Sequence, residues 1–286
     1  LRKHFMNKKP FLSLMPPVII LSNPQLGENI GAVARAMKNC GFNELRLINP
    51  RDGWPNPDAE PMATHAVDIL KNASVHPNLA SACFDITELF ATTARPRELK
   101  KQVINPRIAA EKCVQNTLKN IRVDPKPGQS VKYIRNNAYK AAYLFGSERV
   151  GLTNDDIVLA DFIVEANLNP DGKSLNLAQA VVIMCWEFSM ITAYSQISCD
   201  TLIKMSSQSD MKKQKQKKLK LSATIKEQAY FFERFDKLLD KWGFFTAEEK
   251  APTVKRNLRN FFIKANFTKQ ELLTWHGILT LFNKQK

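Results

Sequence analysis

Residues 18–37 read Val18-Ile-Ile-Leu-Ser-Asn-Pro-Gln-Leu-Gly-Glu-Asn29-Ile-Gly-Ala-Val-Ala-Arg35-Ala-Met37. The short β-branched run at 18–21 predicts a buried strand, and Ser22-Asn23-Pro24 ends it. A helix follows, with Asn29 placed to cap it. Gly31, Ala32, Ala34 and Ala36 are small enough to let that helix approach another backbone closely. Between Asn29 and Met37 the only charged side chain is Arg35, a little under two turns beyond Asn29. On this stretch alone, a surface arginine on an amphipathic helix is an equally good account of it.

Working outward, strands and helices alternate. Gly41 is a natural residue to end the first helix, and Glu44–Asn49 alternates as a strand. A loop rich in Pro, Asp and Gly covers 50–61, and a helix follows over 61–71. Around 82–93 the pattern predicts a short helix and then a strand ending at Ala91-Thr92-Thr93. Another helix covers 105–119, and the polar segment 120–140 reads as a loop insertion. Strands follow at 141–145 and 162–166, separated by Thr153-Asn-Asp-Asp156, whose capping-box spacing opens a helix. A long apolar helix covers 175–196. This order predicts an α/β fold with a mainly parallel sheet. Ligands of such sheets bind outside the carboxyl ends of the strands. The segments to examine are therefore 23–29, 92–97, 146–151 and 167–176.

Charge is unevenly placed. The 286 residues carry a formal +15, but residues 1–200 hold 23 basic against 19 acidic side chains, while 201–286 hold 19 against 8. Such a basic C-terminal third implies a polyanionic partner, with a merely solubilising tail as the plainer alternative. Seven lysines fall between 204 and 220, in a linker that cannot bury a face. Beyond it, Ile225, Ala229, Phe232, Phe235, Leu239 and Trp242 recur at helical spacing. Val254, Leu258, Phe261 and Phe262 mark a second helix, and Thr268 with Glu271 opens a third. The aromatics of this small helical unit are read as its core in preference to a base-stacking platform. No apolar run approaches the ~20 residues that span a bilayer, and no signal peptide is read at the N-terminus. Five scattered cysteines without Cys-x-x-Cys spacing fit a reducing cytoplasm, and neither they nor the four histidines have metal-ligand spacing.

No G-x-G-x-x-G occurs, since the ten glycines never fall two apart. Gly146-Ser-Glu-Arg-Val-Gly151 has the glycine spacing of a phosphate loop, but Leu152 stands where the lysine must be, which excludes an NTPase. Ser174 is a natural cap for the long helix, whatever the function. In combination, Asn29-x5-Arg35, Phe145-Gly-Ser-Glu-Arg-Val-Gly-Leu152 and Ser174-Leu-Asn-Leu-Ala178 resemble the three motifs of the SPOUT class of RNA 2′-O-methyltransferases. More narrowly, residues 16–197 and the helical extension are similar to the TrmJ-type tRNA (cytidine/uridine-2′-O)-methyltransferases.

The resemblance implies a trefoil-knotted α/β domain that dimerises and binds S-adenosylmethionine in the knot. Carried onto this sequence, the cofactor positions are Thr92, Thr93, Ala94, Gly146, Ala166, Lys173, Ser174 and Leu175. The catalytic positions are Arg35, Asn29, Glu148, Ser174 and Asn176, with no metal. The expected organisation is an N-terminal extension at 1–15, a SPOUT methyltransferase domain at 16–197, a Lys-rich linker at 198–222 and a helical RNA-binding extension at 223–286. The expected activity is cytoplasmic 2′-O-ribose methylation of tRNA, at a pyrimidine nucleotide of the anticodon loop. Alternatives are the same chemistry on ribosomal RNA, or a non-catalytic RNA-binding module that keeps the fold. A membrane-surface role for the lysines lacks an adjacent apolar anchor. A guanidinium stays charged, so Arg35 suits holding a phosphate and stabilising a developing alkoxide better than it suits base action. Backbone amides at the start of the last helix of the domain suit the methionine carboxylate.

Overall fold

The computed structural model describes residues 14–93, 101–124, 132–135, 139–172, 174–194, 222–245, 247, 249–265 and 267–284. The first strand, β1 (Val18–Ser22), has all five residues buried. Apolar side chains on both of its faces demand cover on both sides, which is the condition of an interior parallel strand. Its neighbours are β2 (Leu45–Ile48) and β8 (Ala141–Phe145), both parallel to it. The remaining sheet strands are β3 (Ser74–His76), β4 (Glu88–Thr92), β5 (Val103–Ile104) and β9 (Phe162–Val164). Among the described residues the order across this sheet is β3-β2-β1-β8-β4-β9-β5, with every pairing parallel. The late strand β8 thus fills the place between β1 and β4.

One face is covered by α1 (Gly27–Asn39), α2 (Ala59–Ala63), α3 (Val67–Lys71), α5 (Pro106–Lys119) and α7 (Leu177–Tyr194), which share a core with Ile19, Leu21, Phe90 and Tyr143. The other is covered by α4 (Leu79–Ala82), α6 (Asn154–Leu159) and Ile225 from the C-terminal unit, packed on Val18, Ile20, Leu89 and Leu144. Just past the end of α1, Gly41 has a φ of 78°, the left-handed conformation a helix end favours. The small residues of α1 find a use inside the chain. A Cβ on Gly31 would stand 2.0 Å from the Ala59 carbonyl oxygen, so α1 and α2 touch backbone to backbone there.

Several expectations are corrected. The helix expected at 61–71 begins at Ala59 and breaks at Thr64, where φ is 51°, into α2, a 3₁₀ turn over Thr64–Ala66 and α3. β3 and β5 are too short to show a period in the sequence. Residues read as a loop insertion form an antiparallel hairpin, β6 (Ile121–Asp124) with β7 (Lys132–Arg135). α7 starts two residues later than the expected helix. Arg46, in the strand expected at 44–49, is 2% exposed. It is held by Asp85, Glu44 and the Ala82 carbonyl, with Lys140 bonded to the same two carboxylates. These groups stand at or near the amino ends of their strands, the rim opposite the strand-end loops singled out from the sequence.

The C-terminal unit is α8 (Ile225–Lys241), α9 (Ala251–Lys264) and α10 (Lys269–Lys284). Its core is aromatic, as expected: Phe231 meets Phe232, Phe235, Phe262, Phe267 and Trp275 at ring separations of 5.2–6.4 Å. Trp242 and Phe261 are corrections to that expectation, being 46% and 70% exposed. Thr224 and Glu227 form a reciprocal capping box at the start of α8. The Ile225 N–H donates to the Ile86 carbonyl at 2.9 Å, and Arg256 pairs with Asp155, so the unit is fastened directly to the sheet domain. The Lys-rich stretch 201–221 lies outside the described residues.

Candidate active site

A cleft opens at the carboxyl ends of the central strands, where the fold class predicts a ligand. Thr92 and Thr93 line it after β4, Gly146–Glu148 after β8, and Ala166 and Leu168 after β9. Ser174 and Leu175 close one side, and Leu177, Ala180, Ile183 and Met184 of α7 form an apolar wall. Six expected cofactor positions, Thr92, Thr93, Gly146, Ala166, Ser174 and Leu175, therefore come together from four separate segments. Ala94 and Lys173 lie outside the described residues. Thr92 is oriented by donating its hydroxyl to the Leu144 carbonyl at 2.9 Å. Gly146 is required by the turn beneath it, since a Cβ there would meet the Gly151 carbonyl carbon at 2.1 Å and the Leu152 nitrogen at 2.2 Å. Leu152 itself is 2% exposed in the core, which accounts for an apolar residue where a phosphate loop carries lysine.

Three expected catalytic residues form one hydrogen-bonded chain. Asn176 Nδ2 donates to Asn29 Oδ1 at 3.0 Å, and Asn29 Nδ2 donates to Glu148 Oε1 at 2.9 Å. Glu148 also accepts the Gln25 N–H at 2.9 Å and the Leu26 N–H at 3.4 Å. The carboxylate thus fastens the turn that leads into α1, and the cap expected of Asn29 is not made. Leu26 occupies the N-cap position with no side-chain bond, and Asn29 lies inside the first turn. An anion suits that place, because the helix dipole and the free amides both favour negative charge. At α7 the cap is likewise not Ser174. Asn176 Oδ1 accepts the Ala178 N–H at 2.9 Å, and Gln179 Oε1 accepts the Asn176 N–H at 3.2 Å. Two amides expected to meet a cofactor carboxylate are therefore engaged within the protein. Arg35 stands apart from this chain, exposed on α1 and about 9 Å along the helix axis from Asn29. No residue described bonds its guanidinium.

Residues 16–186 match the model of the SpoU rRNA Methylase family. The chain belongs to that family. Among solved structures, the SpoU fold seen here is similar to TrmJ from Z. mobilis ZM4, with a TM-score of 0.73, 35% identity and coverage of 94% of this chain and 99% of that one. Among curated relatives, the tRNA (cytidine/uridine-2′-O-)-methyltransferase TrmJ of Sodalis glossinidius is 30% identical, over 92% of this chain and 89% of its own. The tRNA (cytidine/uridine/adenosine-2′-O-)-methyltransferase TrmJ of Pseudomonas aeruginosa is 29% identical, over 92% and 91%. The chain is a methyltransferase by this kinship, and the similarity extends through the C-terminal helices.

In this SpoU methylase, several site residues escaped the sequence reading. Gln179 completes the α7 cap three residues after Asn176, a spacing that was available as a signal. Arg51 follows β2 on the same rim. Its backbone N–H donates to the Pro24 carbonyl at 3.0 Å, and its side chain forks onto Asp52 at 2.8 and 2.9 Å. Bonding to Asp52 raises the guanidinium above its ordinary range, and the charge of Glu148 adds to this. Asn56, only 8% exposed, packs where a Cβ on Gly27 would sit, so it fixes the first turn of α1 from outside. Among the described residues no cluster of three His, Cys, Asp or Glu is placed to hold a metal, and no helix is long and apolar enough to cross a membrane. Cys40, Cys83, Cys113 and Cys185 are free thiols.

Proposed function

We propose that this chain transfers the methyl group of S-adenosylmethionine to a ribose 2′-OH of tRNA, at a pyrimidine nucleotide of the anticodon loop. The observation that carries this is the meeting of the cleft with the Asn176–Asn29–Glu148 chain, on the strand-end rim. The cleft suits a nucleoside cofactor: an apolar wall on α7 faces backbone-rich turns at Gly146 and Leu168. Thr92, Thr93, Gly146, Ala166, Ser174 and Leu175 would hold it, and the resemblance adds Ala94 and Lys173.

When bound, the cofactor supplies an already activated methyl group. What remains for the protein is to orient the ribose hydroxyl in line and to stabilise its developing negative charge. Arg35 holds the neighbouring phosphate and stabilises the alkoxide. Asn29 and Asn176 present the amide edges that position the nucleotide, and Ser174 lies on the lip of the cleft. Glu148 locks Asn29 and the start of α1 in place.

The same reading has the chain act as a homodimer in the cytoplasm, with a trefoil knot around the cofactor. α7 is apolar on nearly all sides, and Val182 and Trp186 are 43% and 55% exposed on it, which favours a second copy against this face. A partner there would bring Arg35 to a shared site. The proposed division is an extension at 1–15, the methyltransferase domain at 16–197, a linker at 198–222 and an RNA-binding unit at 223–286, whose excess of basic charge favours a polyanion.

The test is methyl transfer from labelled S-adenosylmethionine to unmodified tRNA and, in parallel, to ribosomal RNA, with the product nucleoside identified by mass spectrometry. A 2′-O-methylpyrimidine in the tRNA anticodon loop is expected. Label on a base, or on ribosomal RNA alone, overturns the assignment. The name of the Pseudomonas relative extends to adenosine, which makes the nucleoside the informative readout.

A further inference from the structure

α8 carries a row of side chains that the core of its three-helix unit does not use. Lys226, Tyr230, Arg234, Lys237 and Lys241 recur at spacings of four, four, three and four. That spacing places them on one side of the helix, along about 22 Å of its length. Phe231, Phe232 and Phe235 take the apolar side, which α9 and α10 cover.

Tyr230 is 56% exposed, on the same side of α8 as these cations. Its ring lies 5.4 Å from that of His276 on α10. Next along the row, Arg234 is fixed by two bonds, to His276 Nδ1 at 3.0 Å and to Thr280 Oγ1 at 3.1 Å. Burial and the Arg234 charge hold the His276 imidazole below its ordinary range, and the guanidinium, which can only donate, makes Nδ1 the acceptor. At the far end, Lys241 is steadied by Asn283. The acids nearby are already matched. Glu227 pairs with Lys269 at 2.7 Å, and Glu233, on the flank, pairs with Lys237 at 2.6 Å across open surface. An exposed pair of that kind is weak and readily exchanged for a phosphate.

We propose that this face binds a short unpaired stretch of RNA, one base stacked on Tyr230 and the backbone following Lys226, Arg234, Lys237 and Lys241. Interleaved cations and an exposed ring are what single strands need, because every base has a face to stack while a duplex hides its faces. A membrane surface is a poorer fit, since a helix lying on lipid turns a broad apolar face to it, and the apolar face of α8 is already covered. The inference rests on the RNA-methyltransferase reading and places a second contact on the substrate, outside the reaction cleft.

The test uses the full chain, a labelled single-stranded oligoribonucleotide and the same strand in a duplex, followed by fluorescence anisotropy over a salt series. Tyr230→Ala is expected to weaken single-strand binding by about fivefold to a hundredfold, with duplex binding little changed and Tyr230→Phe restoring affinity. Replacing Lys226, Lys237 and Lys241 together by Ser should lower the salt slope for the single strand by about 2. Cofactor affinity, read by calorimetry, should be unchanged in all three. Equal binding by Tyr230→Ala, equal losses on single strand and duplex, or an unaltered salt slope overturns the proposal. So does binding to phosphatidylserine vesicles in place of RNA. A wild-type chain that methylates RNA while the variants bind like it overturns this face alone, whereas a wild-type chain that transfers no methyl group removes the reading beneath it.

Discussion

Asn29 and Glu148, 119 residues apart in sequence, are joined by a 2.9 Å hydrogen bond from Nδ2 to Oε1. The same carboxylate takes the Gln25 and Leu26 amides, so one side chain both fastens the turn before α1 and sets the angle of the asparagine beside it. Its effects on stability and on catalysis are therefore separable by substitution.

Glu148→Ala should cost about 1–3 kcal/mol, the range for leaving polar groups without their acceptor, and lower Tm by about 2–10 °C in a thermal melt. Glu148→Gln keeps one oxygen for the amides and should recover most of that stability. Methyl transfer should fall in both variants, because Asn29 loses the charged acceptor that orients it.

Arg35 has the opposite profile. It is exposed and bonded to no described residue, so Arg35→Ala should leave Tm within about 2 °C of the parent chain. Single-turnover methyl transfer should fall by roughly 10²–10³, the cost of losing a donor aimed at developing charge. Retained cofactor affinity in calorimetry would separate this from a folding defect.

At Gly146 backbone leaves no room for a side chain. Gly146→Ala puts a methyl group 2.1 Å from the Gly151 carbonyl carbon, so the turn between Ser147 and Gly151 must open. A loss of about 1–3 kcal/mol is expected from the collision. Titration calorimetry should show cofactor affinity reduced by more than tenfold.

A pH effect is expected away from the cleft. Burial pushes the Asp161 carboxyl up to about 7, against the lowering effect of the Leu89 N–H that it accepts at 2.7 Å. The folded chain therefore holds a proton there that the unfolded chain releases near pH 4. Between about pH 4 and pH 7 the folded state binds more protons, so this group makes stability fall as pH rises. Asp161→Asn keeps an oxygen for Leu89 and cannot ionise. Its Tm should decline less than that of the parent over this window.

The strands with strong apolar runs were legible because both of their faces are buried, as at 18–22 and 141–145. That β8 pairs with β1 and β4 was not legible, since register between distant segments leaves no local trace. The cleft could be placed from strand-end loops, and the resemblance supplied which residues of those loops to choose. Asn29 was misread as a cap because a local rule was applied where a carboxylate from far along the chain does the work. Ser174 was misread for a related reason, with Asn176 two residues later making the bond. The hairpin at 121–135 was hidden by Pro125, Pro127 and Gly128, although Ile121-Arg-Val-Asp124 does alternate. Arg51 was missed because the rim after β2 was not among the strand ends examined.

The place of β8 between β1 and β4 also sets an order of assembly. During synthesis β1 and β4 emerge first, and the strand that joins them leaves the ribosome on the order of 3–10 s later at ~5–20 residues per second. Until then each has an open edge, and the start of α1 lacks the carboxylate that closes it. The nascent chain must therefore keep these unpaired strand edges from pairing elsewhere. The join between β1 and β4 and the fastening of the start of α1 come in one late, long-range step, which marks this as a slow-folding topology.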